Sequence, residues 1–294
     1  MPSLKEVRSR IKSVQSTQQI TKAMKMVAAA KLRRAQDHAM QLRPYAGKLN
    51  EILSNLASNS ESLATNPFTQ TREAKKVLLV VVTSDRGLCG PFNTNILKAT
   101  NALLINKYDK QLAANNVAFL CVGKRGFDYF SKRYPNVNGD FIGLFQGLSF
   151  DKVKEAAEFA MSGFVNGEYD VVEIVYNEFK NVATQIVQTE QFLPISSAIG
   201  GEKAASQKKE YIFEPSVDEI INDLVPRSLK TKFYTAVLES NASEHGARMS
   251  AMDKATENAG EMLKALKIQY NRSRQASITK EILEIVAGAE ALSA

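Results

Sequence analysis

The turn at residues 84–90 contains the residue types that come nearest to a chemical motif. It reads Ser-Asp-Arg-Gly-Leu-Cys-Gly and follows the β-branched run Val77–Val82, so it should connect a buried strand to a helix. Such a turn can bind phosphate through its backbone N–H groups. However, its two glycines match neither the G-x-G-x-x-G spacing nor the P-loop spacing. We therefore interpret Asp85 and Arg86 as a turn cap and an ion pair of the fold.

Other residue types that often perform catalysis are few and far apart. Cys89 and Cys121 are the only cysteines, and they lack the spacing of metal ligands, which predicts reduced thiols. Cys89 is either a reactive thiol or a buried turn residue, and burial is favoured. His38 and His245 both fall in long helical patterns, where each is interpreted as a surface residue. We expect no catalytic residue, no cofactor and no metal site.

Two long helical patterns occupy the ends of the chain. The C-terminal pattern, Arg227–Leu292, contains no proline, and at 1.5 Å per residue it predicts a helix roughly 100 Å long. The N-terminal pattern contains Pro44, which should bend the helix rather than end it. The N-terminal stripe consists of Leu4, Val7, Ile11, Val14, Ile20, Met24, Val27, Leu42, Tyr45, Leu49, Ile52 and Leu56, and the C-terminal stripe of Leu229, Phe233, Ala236, Ser240, Ser243, Ala247, Ala251 and Ala255.

Small residues in the middle of both stripes would let two helices approach closely. Stripes of this length at opposite ends of one chain favour an antiparallel coiled coil. The alternative is two separate helices of a bundle. The coiled coil is favoured because helices this long require a partner along much of their length.

The middle of the chain alternates strands with helices. Strands are predicted at Val77–Val82, Val117–Val122 and 169–176, and outer strands at 182–192 and 208–213. Helices are predicted from about Pro91, after the segment 123–126 through Tyr134, and at 151–164. The fold class is therefore an α/β sheet domain inserted between two long helices that pair as an antiparallel coiled coil. The predicted domains are 1–60, 74–215 and 216–294.

The end of the C-terminal helix differs from the rest of it. Its apolar tip consists of Ile278, Ile282, Ile285, Val286 and Leu292, and Leu283 and Ala287 widen the stripe beyond a two-helix seam. The basic collar, Tyr-Asn-Arg-Ser-Arg-Gln-Ala-Ser at residues 270–277, lies directly before it. Together they indicate a shaft seated in another protein.

Charge is concentrated at the start of the chain. Residues 1–48 contain eleven Lys and Arg against two acidic residues, which gives +9, so the remainder is −2 in a chain of +7. A basic helix of this kind can face solvent or bind acidic protein loops, nucleic acid or a membrane surface. Nucleic acid is disfavoured because Tyr45 is the only aromatic residue before Phe68 that could stack on a base.

Targeting signals are not evident. The longest apolar run, Val77–Val82, is too short to span a bilayer, and residues 1–4 do not resemble a signal or transit peptide. We expect the chain to remain in the cytoplasm.

Three motifs resemble the gamma subunit family of bacterial-type F-type ATP synthases. They are Ile-Thr-Lys-Ala-Met-Lys-Met-Val at 20–27, Ser-Asp-Arg-Gly-Leu-Cys-Gly at 84–90 and Arg-Gln-Ala-Ser-Ile-Thr-Lys-Glu at 274–281. The resemblance implies a non-catalytic rotor whose shaft turns inside three alpha and three beta subunits. It further implies a foot domain that rests with the epsilon subunit on the c-subunit ring. The protein would then lie peripherally on the cytoplasmic face of the bacterial plasma membrane, which it reaches only through the c-ring.

The same resemblance implies roles for individual residues. Arg274 and Gln275 would contact the catch loop of the beta subunit, while Met24, Arg248 and Thr279 would belong to the coupling region. Two alternatives stay open: a basic coiled-coil protein that binds nucleic acid, and a nucleotide-dependent α/β enzyme. The first would bind DNA with salt dependence, and the second would be stabilised by nucleotide.

Overall fold

The computed structural model describes residues 3–57, 66–182, 184–195 and 216–293. A 3₁₀ turn, Pro67–Thr69, precedes the first strand. The elements in chain order are α1 Leu4–Ala57, β1 Val77–Val82, α2 Phe92–Lys107, α3 Asp109–Ala113, β2 Val117–Val122, α4 Lys124–Phe130, β3 Val137–Asn138, α5 Phe150–Val165, β4 Val171–Phe179, β5 Gln185–Leu193 and α6 Val217–Ser293.

The chain divides into two compact units. One consists of Met1–Ala28 and Met249–Ala294, and the other of Ala29–Arg248. Both long helices contribute residues to both units. The predicted functional division at 1–60, 74–215 and 216–294 stays a prediction.

The second unit contains a five-stranded mixed sheet in the order β3-β2-β1-β4-β5. β1 pairs in parallel with β2 and β4, and β5 pairs antiparallel to β4. Every residue of Val77–Val82 is buried, because β-branched side chains on a central strand are covered on both faces of the sheet. The predicted strand is therefore confirmed to the residue.

Successive residues of β1 point to opposite faces of the sheet and enter two different cores. Leu78, Val80 and Val82 join a cluster that also contains buried residues of α1, α5 and α6. The alternate residues of β1 join a cluster with α2 and with buried residues of β2 and α4. The sheet is thus covered by helices on both faces, as expected for an inserted α/β sheet domain.

The two long helices pair within each unit. In the second unit, Leu49 and Leu53 of α1 share a core cluster with Val225, Leu229 and Phe233 of α6. This part of the pairing rests on large apolar side chains.

In the first unit the pairing contacts are polar. Thr256 donates its hydroxyl hydrogen to Thr21 Oγ1 at 2.8 Å, and Gln18 Nε2 donates to the Thr256 carbonyl at 3.4 Å. Lys25 forms an ion pair with Asp253. Residue numbers rise along α1 as they fall along α6, so the helices run antiparallel. The predicted antiparallel pairing is confirmed.

Both prolines in the long helices are interior, and neither ends its helix. Pro44 lies inside α1, as predicted. Pro226 lies inside α6, which begins at Val217, ten residues before the Arg227 start of the proline-free pattern. The later start was wrong because buried apolar residues such as Ile221 and Val225 continue the stripe through Pro226. Their packing outweighs the one missing backbone donor.

Some bounds in the sheet domain differ from the predictions. The helix predicted through Tyr134 ends at Phe130, and a short strand, Val137–Asn138, follows that the sequence analysis did not identify. The outer strand predicted at 182–192 is β5, Gln185–Leu193. The outer strand predicted at 208–213 lies outside the described residues.

Candidate functional site

The turn at residues 84–90 is held in a fixed conformation by its own polar groups. The Ser84 N–H donates to Asn93 Oδ1 at 3.0 Å, and the Ser84 hydroxyl donates to the Arg86 carbonyl at 2.7 Å. Asn93 Nδ2 donates to Ser84 Oγ at 2.7 Å and to Cys89 Sγ at 3.2 Å. Cys89 is 1% exposed, so the predicted burial is confirmed. Burial raises the pKa of this thiol, which keeps it protonated and unreactive at neutral pH.

The turn is also tied to the start of α4. Asp85 accepts a hydrogen bond from the Lys124 N–H at 3.2 Å, and the Arg125 N–H donates to the Ser84 carbonyl at 3.1 Å. Asp85 is therefore a cap, as predicted. The ion pair predicted for this turn was wrong, because the ion pairs found among the described residues include neither Asp85 nor Arg86. Gly123, with φ +104°, permits the close approach: a Cβ there would lie 2.1 Å from the Thr83 carbonyl oxygen.

Arg248 of α6 reaches into this turn. Its Nη2 donates to the Arg86 carbonyl at 3.2 Å and to the Gly87 carbonyl at 3.4 Å. Its Nη1 donates to the Glu244 carboxylate one helical turn earlier, forming an ion pair whose side chains are only 12% and 8% exposed. The guanidinium thus has both a charge partner and two backbone acceptors within the protein.

His245 lies beside this pair and is 8% exposed, so its interpretation as a surface residue was wrong. It is buried because α6 packs here against the sheet domain, as Ala247 in the second core cluster shows. Burial, together with the positive charges of Arg248 and Lys31, lowers the pKa of His245 to about 4. The neutral ring can accept a hydrogen bond from Arg248 at 3.4 Å. His38 is exposed, as predicted.

Glu244 is buried against the same groups. Burial raises the pKa of its carboxyl, and Arg248 opposes that shift. A buried carboxylate and a buried guanidinium each lose stabilising hydration, and their mutual attraction offsets part of that cost.

The other predicted coupling residues lie elsewhere on the long helices. Met24 is half-buried on α1. Arg274, Gln275 and Thr279 are all exposed on α6, and the Thr279 hydroxyl donates to the Gln275 carbonyl at 3.0 Å. These last three residues lie within two turns of one helix, whereas Arg248 belongs to the other unit.

The apolar tip is exposed wherever its side chains are described. The exposed fractions are 48% for Ile278, 55% for Ile282, 71% for Ile285 and 48% for Val286. Leu292 falls within α6, but its side chain lies outside the described residues. A contiguous apolar surface of this kind is typical of a protein interaction site.

Neither a membrane-spanning helix nor a metal site is found among the described residues. The described helices include none that is long and apolar enough to cross a membrane. Within the described ranges, no group of three or more His, Cys, Asp or Glu side chains is arranged to hold a metal ion.

Sequence reasoning did not identify the cluster of Glu244, His245 and Arg248 around the turn. The spacing of four residues between Glu244 and Arg248 is the one local signal, because it places the two side chains on one helix face. Their burial depends on the sheet domain packing against α6, which no local pattern encodes.

Known proteins match this chain in sequence over nearly its whole length. The profile of the family described as ATP synthase matches residues 3–292. An ATP synthase gamma chain from Cytophaga hutchinsonii is 63% identical over 294 residues and covers 100% of both chains. Another, from Chlorobaculum tepidum, is 52% identical and covers 99% of both.

Solved structures are similar as well. A chain of the central stalk and c-ring of the Tetrahymena thermophila mitochondrial ATP synthase is 28% identical, with a TM-score of 0.59, and covers 80% of this chain and 99% of that one. A chain from the Euglena gracilis mitochondrial ATP synthase has a TM-score of 0.66 and covers 98% of this chain and 94% of that one. At 20% identity, the second likeness shows the fold alone. The sequence match over nearly the entire length shows that this chain belongs to the ATP synthase gamma chain family.

Proposed function

We propose that this chain is the rotor subunit of an F-type ATP synthase, which couples rotation of the c-ring to the conformational cycle of the catalytic beta subunits. The observation that carries the proposal is the exposed apolar tip at the end of a 77-residue helix in a member of the gamma chain family. The chain itself would be non-catalytic. It would act because an asymmetric helix surface contacts different conformations of a neighbour unequally.

The proposed partners are the ring of alpha and beta subunits, the epsilon subunit and the c-subunit ring. The Tetrahymena structure described above is of a central stalk with its c-ring. The exposed tip suits the ring of alpha and beta subunits, because apolar contacts are non-directional and disfavour no single angle of rotation. Membrane association would occur only through the c-ring, and no nucleic acid would be bound.

We further propose residue roles for the shaft. Arg274 and Gln275 are exposed and adjacent in the basic collar, so both can contact one loop of a beta subunit. Thr279 lies just over one turn further along, and Met24 is half-buried on α1. We propose coupling roles for these four residues and, separately, for Arg248, whose guanidinium is bonded inside the other unit.

The proposed location is the cytoplasmic face of the bacterial plasma membrane, as a peripheral subunit. This proposal rests on the resemblance to bacterial-type gamma subunits.

The proposal is tested by co-expressing a tagged chain with the alpha and beta subunits. We expect the three to purify together and to hydrolyse ATP, whereas the chain alone should hydrolyse none. A matched variant, Ile282→Asp with Ile285→Asp, should reduce the yield of the complex because charged groups at the tip would lose hydration on seating. A chain that remains a monodisperse monomer in the presence of alpha and beta subunits would refute the rotor function.

A further inference from the structure

Arg248 is an internal structural group, since its hydrogen bonds to Glu244 and to the turn leave it only 12% exposed. We propose that Glu244 and Arg248 form a mechanical tie, the α6 clamp, that fastens the C-terminal helix to the turn at residues 84–90 and passes torque between the sheet domain and that helix. The inference rests on the rotor function proposed above. Glu244 is a positioning residue in it, because Glu244 acts through Arg248.

The geometry of the clamp suits a planar guanidinium. One side of the Arg248 fork faces a carboxylate of its own helix, while the other side faces the consecutive carbonyls of Arg86 and Gly87. Arginine presents five N–H donors in a rigid arrangement and retains its charge at any accessible pH. Lysine offers a single ammonium that cannot span the same three acceptors with this fixed geometry. Glu244 sets the orientation of the fork because it holds Nη1 from one turn earlier on α6.

The clamped turn is itself fastened to the sheet. Ser84 and Asn93 bond to each other, which links the end of β1 to α2. Asp85 and Thr83 accept hydrogen bonds from the Lys124 and Gly126 N–H groups, which links the same turn to the start of α4. A displacement of Arg248 would therefore be transmitted through the turn to α2 and α4, which follow β1 and β2.

A second contact, made by the residue before Glu244, also joins α6 to the sheet domain. The Ser243 hydroxyl donates to the Asn177 carbonyl at 3.0 Å, and both residues are buried. Asn177 belongs to β4, which neighbours β1 in the sheet. Residues 243–248 of α6 are thus joined by directional hydrogen bonds to two adjacent strands or the turns that follow them. Apolar contacts are non-directional and resist sliding less than charge-assisted hydrogen bonds shielded from water.

The test uses the assembled, membrane-bound complex and measures protons pumped per ATP hydrolysed. Glu244→Gln keeps the size of the side chain but removes its charge, and Arg248→Ala removes the fork. We expect both variants to hydrolyse ATP with a pumping ratio reduced by about 10- to 100-fold, the change that corresponds to losing one shielded charge-assisted hydrogen bond. Asp223→Asn is the matched control, because Asp223 and Arg227 form an ion pair with the same spacing on α6 that is about 60% exposed. It should leave the ratio unchanged.

A double variant shows whether the two residues act as one device. If Glu244 acts through Arg248, Glu244→Gln in the Arg248→Ala background should cause no further loss of the pumping ratio. Arg248→Lys retains a charge partner for Glu244 and should recover only part of the ratio. Should Arg248→Ala fail to assemble, Glu244→Gln and Arg248→Lys carry the test.

A merely structural role would lower the melting temperature of the complex without changing the pumping ratio, and that result would overturn the clamp. Additive losses in the double variant would also overturn it. Failure of the wild-type chain to assemble with alpha and beta subunits would instead refute the rotor function, so the two failures are distinguishable.

Discussion

Two segments of the same helix, α6, have opposite surroundings. Residues 229–248 are almost entirely buried or half-buried, and some of their polar groups bond within the protein, as the Glu244–Arg248 pair does. Residues 278–289 are exposed throughout and carry most of the apolar tip. Helical periodicity describes both segments equally well, so it does not distinguish a surface used for folding from one used for binding. The difference comes from what else in the chain folds against each segment.

The largest expected contrast is in stability. Phe233 is 1% exposed and packs edge-on against Phe192 with ring centroids 5.7 Å apart. Phe233→Ala should lower the free energy of unfolding by about 3–5 kcal/mol, because it removes a large buried side chain and leaves a cavity. Urea denaturation followed by circular dichroism measures the change.

Ile285→Ala is the matched control on the exposed segment, since Ile285 is 71% exposed. It should change the free energy of unfolding by less than about 0.5 kcal/mol. Equal losses in the two variants would contradict the contrast, because they would mean that the tip folds against the rest of the chain.

The next prediction concerns the pH dependence of the buried segment. His245 has a pKa of about 4 in the folded protein, below its unfolded value, so the unfolded state binds the proton more readily. His245 therefore contributes stability above about pH 6.5 that is lost as pH falls to 4, by about 3 kcal/mol in total. Glu244 acts in the opposite sense, because its pKa is raised. Arg248, Lys31 and Asp85 are the charged groups around this pair.

His245→Gln should therefore flatten the decline in stability between pH 6.5 and 4, as measured by the urea midpoint at each pH. The slope is the relevant quantity, because the substitution changes stability at pH 7 for other reasons as well. His38→Gln, on an exposed part of α1, should retain the wild-type slope. An unchanged slope in His245→Gln would mean that the ring is not held neutral by burial.

The basic collar, which directly precedes the exposed segment, should instead affect function. Arg274→Ala with Gln275→Ala should leave the complex assembled but reduce ATP synthesis and hydrolysis by about 10- to 100-fold, because a shielded charge-assisted contact is worth about 1.5 to 3 kcal/mol. Turnover of the purified complex at equal subunit stoichiometry measures the effect. Arg272→Ala, also exposed in the basic collar, should stay near wild type.

Loss of assembly in the double variant would assign Arg274 and Gln275 to seating rather than to coupling. Truncation after Glu284 provides the complementary case, since it should weaken seating while part of the turnover remains.

The smallest expected effect lies at Ser240 in the buried segment. Its side chain is 1% exposed, and its hydroxyl oxygen has no hydrogen-bond partner among the described residues. Ser240→Ala should raise the free energy of unfolding by about 1 kcal/mol, because it removes an unsatisfied buried polar group and improves helix propensity. Thermal denaturation measures it, and Ser277→Ala, at a half-buried position in the basic collar, should change little. A lowered melting temperature in Ser240→Ala would show that the hydroxyl has a partner.

Local sequence patterns predicted the elements whose environment is uniform along their length. Val77–Val82 and Val117–Val122 were predicted to the residue, since β-branched runs bounded by turn residues define both ends of a buried strand. The long helices were predicted from their stripes, and the antiparallel pairing from the position of the two stripes at opposite ends of one chain. The start of α6 was misplaced, because a proline normally interrupts a helix unless buried packing compensates for it.

The environment of individual polar residues was harder to predict. His245 was assigned to the helix surface although its ring is buried, because the turn at residues 84–90 is more than 150 positions away in sequence. The partner of the Asp85 cap, the Lys124 N–H, lies 39 positions further along the chain and was not identified either. Such contacts depend on tertiary packing. The coupling roles of Arg274 and Gln275 come from the motif at residues 274–281 alone and stay predictions.

The polar contacts of Gln18, Thr21 and Lys25 with α6 fix the register of the two helices. Each of them requires a particular partner, and together they connect to positions 253 and 256. A slip of one helix by a single turn, about 5.4 Å, would separate all of these partners at once, whereas small apolar residues would find equivalent neighbours. These polar contacts therefore select one register of the two helices, and Thr256 contributes to it through its contacts with both Thr21 and Gln18.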